Sequence, residues 1–444
     1  MIGGQDFFWH TRASGLQIWV NPRQYGMEVS SGPDRPINER MLLAMLAAVQ
    51  FTHVMDFMIM MPLGSQLMRV FDISPAQFSH LVASYGLSAA VSGLLGGFFL
   101  DRFDRRPALL FLYSGFALAT LACALAPTFS LLLVARLIAG AFGGVAGSVV
   151  VSMVGDVVPP ERRGRAMGVV MSAFPLASVL GVPAGLTLAA RYEWHAPFFL
   201  LAALSAIILG LAYRTLPSLR SSHPAAHPVE QMIAIVTHPI HIKGFMMSAM
   251  LVFAGGCIIP FMAPAMVANV GLTEAQLPLI YLAGGAVTFF TTPWFGRLSD
   301  RHDKLQVLFW LSICAAVVVM VVTSLPRVSI FVAMALTALF MVAMSGRFSP
   351  AMAMLTNAVD GRYRGGFMSV NSAVQQAASG CANVVAGYLV TRSATGQLVG
   401  YPRVGLLSVC CFGLTVYLAA RLRAAAPHAS RPGHSQPTET AVAE

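Results

Sequence analysis

Twelve long apolar stretches constrain this chain more than any other feature of its sequence. A helix needs about 20 apolar residues to cross a bilayer. Only 10% of the 444 residues are charged and 57% are apolar, whereas about 25% of a soluble domain is charged. With a mean hydropathy of +0.71, the sequence predicts an all-α integral membrane protein with twelve transmembrane helices. The predicted spans are residues 41–63, 77–99, 107–126, 129–155, 165–189, 196–215, 244–268, 277–296, 305–324, 329–355, 366–391 and 404–421.

A charged motif occurs twice, at residues 97–106 and 296–304, with a constant offset of 199 residues. The matched pairs are Gly97 and Gly296, Asp101 and Asp300, Arg102 and Arg301, and Asp104 and Asp303. The same offset relates Gly86 to Gly285 and two predicted capping boxes, Ser74–Gln77 and Thr273–Gln276. A gap-free offset of this length indicates two related halves. We therefore predict two pseudo-symmetric six-helix bundles around a central site, as in alternating-access transporters.

The segments outside the spans are polar and set the topology. In chain order we predict a disordered cytoplasmic segment (1–40), the first bundle (41–215), a cytoplasmic linker (216–243), the second bundle (244–421) and a cytoplasmic tail (422–444). With both termini inside, the inner loops carry fourteen Lys and Arg residues and the outer loops five, as the positive-inside rule requires. The formal charge of +10 then reflects topology, and no nucleic-acid partner is expected. Met27 is an alternative start, so whether residues 1–26 are native stays open.

The sequence offers no pattern for a cofactor, a metal or an enzyme active site. The six cysteines lie in the predicted spans without metal-ligand spacing. There is no G-x-x-x-x-G-K-[ST] loop, so ATP is not the expected energy source. No nucleophile–base cluster is apparent either. The expected partners are the lipid bilayer, protons and a small-molecule substrate.

The repeated motif resembles the loop signature G-x-L-x-D-R-x-G-R-[RK] of the major facilitator superfamily, and the resemblance extends over nearly all of residues 41–421. Asp104 and Asp303 stand where the signature has Gly, although Asp tolerates the left-handed conformation better than most residues. The resemblance implies two six-helix bundles that work by alternating access.

Three further segments resemble one branch of that family. Residues 136–140, with Arg136 and Gly140, are similar to the fourth-helix motif R-x-x-x-G. The segment Gly181-Val-Pro183-Ala-Gly185 resembles a shortened antiporter motif, G-x-x-x-G-P-x-x-G. Together with residues 50–58 in the first span, this pattern is similar to the bacterial drug:proton antiporter and arabinose-efflux-permease-like group.

The resemblance also implies a cytoplasmic gate built from the loop charges. Asp101 is expected to meet the positive N-terminus of the eleventh span, near Gly365. Arg102 and Arg105 are expected to pair with Asp156 at the inner end of the fourth span. In the second half the mirror-image residues are Asp300, Arg301 and Asp360. The alternative is that these charges only solvate the loops and set topology.

Four ionisable side chains lie well inside the predicted spans: His53, Asp56, Arg136 and Arg347. A charge there costs about 3 kcal/mol on insertion scales and indicates function. Asp56 lies seven residues before the outer end of the first span, and Arg136 lies seven after the outer start of the fourth. Both are therefore about 10 Å below the outer surface. The resemblance implies that the first and fourth helices both line the central cavity, so we predict that the two side chains interact as a proton-coupling site. The alternative is a static buried pair that only fixes the register of the helices. His53 either shares the proton relay or is a hydrogen-bonded polar residue.

Polar residues inside the spans are candidates for the substrate cavity. Gln50 shares a face of the first span with His53 and Asp56. Arg347 either attracts an anionic group or satisfies helix carbonyls beside Pro350. Asn371 and Gln375 belong to a polar stripe that lines either a cavity or a helix–helix contact.

The predicted function is proton-coupled export of small organic compounds, of the drug or sugar efflux type, by a monomer in the bacterial inner membrane. One alternative is a facilitator or a proton symporter for uptake, which would use the same fold. A second is a membrane sensor or scaffold that does not transport, although that would predict decayed gate charges. The substrate, direction and stoichiometry cannot be read from the sequence.

Overall fold

Helices form almost all of the computed structural model, which describes residues 39–99, 103–216, 228–361 and 363–431. The helices of its first half are α1 (Glu39–Ile59), α2 (Gly64–Val70), α3 (Pro75–Phe99), α4 (Arg105–Ala124), α5 (Phe129–Val157), α6 (Pro160–Met171), α7 (Ala173–Leu176), α8 (Val182–Tyr192) and α9 (Ala196–Thr215). Those that follow are α10 (Pro228–Thr237), α11 (Pro239–Ala265), α12 (Leu277–Arg301), α13 (Lys304–Thr323), α14 (Ile330–Ala358), α15 (Arg364–Leu389) and α16 (Tyr401–Ala425). A two-residue hairpin, β1 (Thr391–Arg392) with β2 (Leu398–Val399), precedes α16.

Eleven helical segments of the described part are long and apolar enough to cross a membrane. They coincide with eleven of the twelve predicted spans, and their ends differ by only a few residues. The remaining predicted span, 366–391, is the 26-residue helix α15. It is long enough to cross but less apolar than the eleven, because polar side chains recur along it. These are Asn371, Gln375, Ser379 and Asn383.

The fifth predicted span, 165–189, is a helix with two interruptions. Its first part is α6. After a break at Ser172 the helix resumes as α7, passes through a π-turn at Ala177–Gly181 and continues as α8. Pro175 and Pro183 each remove a backbone donor from the helical ladder. The π-turn directly precedes Pro183, which fits the usual causes of helix irregularity.

The capping residues that the sequence suggests are in place. Ser74 and Gln77 exchange side-chain-to-backbone hydrogen bonds of 2.9 and 3.2 Å at the start of α3. Thr273 and Gln276 form the second capping box, before α12. Both predicted boxes are therefore confirmed.

Apolar packing differs between the two sides of the molecule. We use "terminus side" for the side where α1 begins and α16 ends, and "far side" for the other. On the far side, one apolar cluster contains residues of both halves, and Phe78 meets Phe261 with ring centroids 6.0 Å apart. On the terminus side there are two separate clusters, one with residues 42–216 and one with residues 235–422. The halves are therefore joined on the far side and apart on the terminus side.

Two glycines lie at close crossings between the halves, and they are the pair matched in the repeat. Gly86 on α3 lies against the backbone of Gln376 on α15. Gly285 on α12 lies against the backbone of Ser178 in the π-turn of the first half. A side chain at either glycine would press on backbone atoms of the other half, so the close approach requires a residue without one.

The polar segments were predicted with bounds that the structure shifts. Residues 39 and 40 belong to α1, whereas the remainder of the segment 1–40 lies outside the described residues. The predicted linker 216–243 contains α10 and the first turn of α11. The predicted tail, 422–444, begins inside α16 and continues as a 3-10 turn at Pro427–Ser430.

Candidate functional site

Asp56 and Arg136 form an ion pair in the middle of the first half. The Nη1 atom of Arg136 lies 2.6 Å from Oδ2 of Asp56 and 3.3 Å from its carbonyl oxygen. Both side chains are 0% exposed. The interaction predicted from their depths is therefore formed.

Three helices position this pair. Asp56 comes from α1 and Arg136 from α5, and the guanidinium lies 4.7 Å from the ring centroid of Tyr85 on α3. Gly140, one turn along α5, lets α5 approach the backbone of Tyr85. Tyr85 directly precedes Gly86, where α3 meets α15. The ion pair is thus connected through one residue to the contact between the halves.

The hydrogen-bonding capacity of the pair is only partly used. Oδ1 of Asp56 and Nε and Nη2 of Arg136 have no partner among the described residues. A fully buried charge pair is stable only while both members stay charged, since either charge alone would be uncompensated. Removing the charge of Asp56 would therefore leave the charge of Arg136 uncompensated.

His53 does not join this pair. Its ring packs edge-on against Phe116, with centroids 4.2 Å apart, and near Tyr113 of the same helix, α4. It is 5% exposed, and neither ring nitrogen has a hydrogen-bond partner among the described residues. The hydroxyl of Tyr113 instead bonds Thr52 at 2.9 Å. The geometry places His53 in an aromatic contact between α1 and α4.

Arg347 lies inside the second half. Its Nε donates to Ser312 Oγ on α13 at 3.1 Å, and its guanidinium lies 3.8 Å from the ring centroid of Phe412 on α16. It is 1% exposed. These contacts hold α13, α14 and α16 together. They fit a structural role for Arg347, although its partners are side chains and not the expected helix carbonyls.

The polar residues of α15 differ in their contacts: one joins two helices, and another has no hydrogen-bond partner among the described residues. Asn371 accepts a hydrogen bond from Ser248 of α11, so it joins two helices of the same half. Gln375 lies 3.9 Å from the sulfur of Met352. Asn383 is buried, and its amide has no partner among the described residues. On α1, Gln50 is half-buried and its Oε1 has no partner in the same part of the chain.

The antiporter-like segment packs α8 against α1. Side chains at Gly181 and Gly185 would collide with Met55, and one at Gly185 also with Ile59. Pro183 lies between them, in the first turn of α8. These three residues therefore bring α8 close to the turn of α1 that carries Asp56.

The first copy of the gate motif is partly described. Gly97 lies in the last turn of α3, whereas Asp101 and Arg102 lie outside the described residues. Arg105 donates from Nε to Asp156 Oδ2 at 3.2 Å, as predicted. The N-terminus of α15 faces α10, since a side chain at Gly366 would meet Ile235.

The second copy does not form the expected mirror image. Asp300, Arg301 and Asp360 are exposed on the terminus side, and none forms an ion pair or a side-chain hydrogen bond with another described residue. Gly296 lies within α12, four residues before Asp300. The apolar clusters of the two halves are also separate on this side.

The Asp that replaces the signature Gly caps a helix in both halves. Asp104 and Asp303 are N-caps with φ of −60° and extended ψ, and their carboxylates accept hydrogen bonds from the first turns of α4 and α13. Neither adopts the left-handed conformation. A capping side chain satisfies donors that Gly would leave free.

One charged contact between the halves was not predicted. On the far side, Arg69 of α2 makes a two-pronged ion pair with Glu274, with N–O distances of 2.8 and 3.1 Å. Gln66 donates to the same carboxylate at 3.0 Å. Glu274 lies in the capping box before α12, and that capping role was its only signal in the sequence. We call Gln66, Arg69 and Glu274 the far-side clasp.

No group of three or more His, Cys, Asp or Glu side chains within the described ranges has the geometry of a metal site.

Comparison with known proteins gives sequence relatives that align over part of the chain. An uncharacterised MFS-type transporter of Bacillus subtilis (strain 168), YceJ, is 29% identical over 181 residues, 41% of this chain and 46% of the relative. A probable sugar efflux transporter of Helicobacter pylori (strain P12) is 24% identical over 250 residues, 55% of this chain and 62% of the relative. The chain thus spans about half the length of these curated relatives.

Solved structures match over a larger share. A bacterial homologue of the human lysosomal transporter Spinster, in an inward-facing and occupied conformation, has a TM-score of 0.72 at 15% identity and covers 88% of this chain and 98% of its own. A D-xylose–proton symporter has a TM-score of 0.70 at 17% identity with the same coverage. At such identities the likeness concerns the fold.

The family model of the Major Facilitator Superfamily matches residues 46–244 and again 244–443, once for each half. Because these two matches cover nearly the whole chain, the protein belongs to the Major Facilitator Superfamily.

Proposed function

We propose that this protein exports small organic compounds in exchange for protons, with twelve spans in two six-helix bundles and α15 as the eleventh. The terminus side is then the cytoplasmic side of the bacterial inner membrane, as the distribution of basic loop residues favours. The buried ion pair of Asp56 and Arg136 is the observation that carries the proposal.

Protonation of Asp56 is the proposed coupling step. With Asp56 charged, the pair holds α1 and α5 together. With Asp56 protonated, the positive charge of Arg136 is left without compensation in an apolar interior, which is costly. The helices then favour an arrangement that hydrates Arg136 or gives it another partner. Two forms with different protonation states are what proton coupling requires.

The surroundings of the pair support a link to the movement of the halves. Arg136 rests on Tyr85, and the next residue of α3, Gly86, touches α15. A shift of α3 at Tyr85 would therefore alter the contact between the halves. The separated terminus-side clusters fit a form that takes up its substrate from the cytoplasm.

The probable sugar efflux transporter among the relatives supports export, and the antiporter-like packing of α8 against α1 supports it as well. The proposal covers drug-like or sugar-like small molecules, and it leaves proton-coupled uptake as the competing direction for the same site.

The test begins with the identification of a transported compound, by counterflow of a panel of labelled sugars and drugs into proteoliposomes. Asp56→Asn keeps the size of the side chain and imitates the protonated form. This variant should lose accumulation driven by a pH gradient, down to the level of empty liposomes, and keep exchange at equal pH. Asp72→Asn, at an exposed far-side turn, is the matched control and should behave as the unmodified protein.

The outcomes separate the alternatives. Full gradient-driven accumulation by Asp56→Asn would rule out proton coupling through this pair. Accumulation in the direction of proton flow, in the unmodified protein, would replace antiport by symport. Absence of counterflow for every compound would support the non-transporting alternative.

A further inference from the structure

The terminus-side ends of the two halves are built alike except at one position. Arg105 and Lys304 are each the first residue of a 20-residue helix, directly after the N-cap Asp. Asp156 and Asn357 each lie two residues before the C-cap of a 29-residue helix. The first half therefore pairs Arg105 with a carboxylate, whereas the second half places a neutral amide at the equivalent position.

Lys304 is nevertheless buried, with 3% of its surface exposed. It forms no ion pair within the described ranges. Its Nζ donates at 2.6 Å to the backbone carbonyl of Arg431, beyond the end of α16. A buried ammonium group is costly without a partner, and a charge-assisted hydrogen bond offsets part of that cost.

The segment that supplies this carbonyl is docked against the second half. The 3-10 turn Pro427–Ser430 packs on the end of α14, and Ala429 and Ser430 are 0% and 1% exposed. Nε2 of His428 lies 3.1 Å from the carbonyl oxygen of Asn357. We call residues 426–431 the docked turn.

We propose that the docked turn is the second half's replacement for Asp156: its backbone carbonyl holds the buried charge of Lys304 and so positions the loop between α12 and α13, which directly follows the turn of α12 that carries Asp300. Asp303 on that loop is tied to α16 as well, through Arg423 at 3.4 Å. The docked turn is therefore a positioning element of the second gate loop, although it lies outside the predicted spans. This inference does not depend on substrate or transport direction.

The sequence provides an internal reference for the test, since Lys243 and Lys304 are its two lysines. The purified protein is compared with a chain that ends at residue 436, so that the carbonyl of Arg431 stays a peptide carbonyl, and one that ends at 425, each with Lys304 or with Lys304→Met. All are treated with a water-soluble amine-acylating reagent, and mass spectrometry measures acylation of Lys304 relative to Lys243. Thermal unfolding in detergent is measured in parallel.

Removing residues 437–444 should leave both measurements unchanged. Removing 426–444 should raise the relative acylation of Lys304 about tenfold, because local opening governs access to a buried amine, and should lower the unfolding temperature. Lys304→Met should restore the unfolding temperature of the chain ending at 425, because the uncompensated charge is gone. Lys243→Met is the matched control and should not restore it.

Two results would overturn the proposal. One is a Lys304 that stays protected in the chain ending at 425. The other is a shortened chain that Lys304→Met fails to rescue, which would show that the turn contributes apolar packing alone. If the chain ending at 425 does not accumulate at all, recovery of its Lys304→Met form supports the proposal and continued absence refutes it.

Discussion

Asp56 and Arg136 are opposite charges that compensate each other inside an apolar interior. Their burial is complete and their separation is 2.6 Å, so neither can lose its charge without leaving the other exposed to a large desolvation cost. The ring of Tyr85 gives the guanidinium a second, weaker partner. The pair is therefore a point where one proton can decide between two packings.

We predict that Arg136→Ala removes the pH dependence of transport. Without the cation, the neutral form of Asp56 is favoured at all pH values near neutrality, because nothing compensates the buried carboxylate. The measurement is substrate flux in proteoliposomes over a series of pH values. Arg191→Ala, at an exposed far-side position, should keep the pH profile of the unmodified protein. If Arg136→Ala has the same pH profile as the unmodified protein, Arg136 has no part in the proton site.

The sequence was sufficient to predict this contact but not the surroundings of His53. The depths of Asp56 and Arg136 follow from the helical rise, and the family resemblance supplied the expectation that their two helices line the same cavity. His53 lies three residues from Asp56, which still leaves about 60° of rotation between their side chains. The aromatic rings of α4 decide which way His53 faces, and no spacing within α1 contains that information.

The helix starts are built with unusual regularity for such an apolar chain. One capping box lies at the start of α3 and the other lies before α12, and Asp104 and Asp303 cap α4 and α13. Each cap satisfies backbone donors at the membrane boundary, where water and lipid compete. The repeated loop is thus a structural device for starting helices as well as a set of gate charges.

We predict that Asp104→Ala lowers the free energy of unfolding by about 1 kcal/mol, because Ala cannot accept the hydrogen bond from the first turn of α4. Asp104→Gly should lower the free energy of unfolding by only about a few tenths of a kcal/mol, since Gly is acceptable at an N-cap. Thermal unfolding in detergent distinguishes the two variants. Equal losses for Ala and Gly would argue against the capping role.

Patterns along one helix were readable, whereas distortions caused by neighbours were not. Both capping boxes follow from residue types at fixed spacing. The π-turn before Pro183 depends on how α8 meets α1 and α12, since Gly181 lies against Met55 and Gly285 lies against Ser178. The prolines were visible in the sequence, but the contacts that accommodate the break were not.

The whole molecule is closed on one side by apolar packing and by the far-side clasp. The clasp residues Arg69 and Glu274 belong to different halves, so this ion pair must break before the far side can open. Glu274 raises the pKa of Arg69 above its ordinary value through their hydrogen bonds. The side chain of Arg69 is 62% exposed, so its contribution is limited by solvent screening.

We predict that Glu274→Gln shifts the population towards forms that are open on the far side, by up to about fivefold, the range expected for a partly exposed ion pair. Spin labels at positions 72 and 392, which line one far-side cleft, report the distance between the halves in a background without native cysteines. Exchanging the charges, with Arg69→Glu and Glu274→Arg together, should restore the original distribution. An unchanged distribution in Glu274→Gln would show that apolar contacts alone close this side.

The repeat predicted two related halves, and on the terminus side each half has an apolar cluster of its own. The repeat could not predict which side is closed. That depends on the balance between the terminus-side charges and the far-side contacts, and the clasp joins residues about 200 positions apart without any shared motif. Asp300, Arg301 and Asp360 were expected from symmetry alone to form the mirror image of the first gate, and symmetry does not fix the conformational state.

The modest apolarity of α15 has a consequence for how the protein is made. A helix with this polar stripe enters a bilayer poorly by itself, and its side chains need partners such as Ser248 on α11 and the close surface that Gly86 provides on α3. Its insertion is therefore expected to depend on α3, which is synthesised earlier. We therefore expect a separately expressed second half to insert α15 fully only when the first half is present in the same membrane.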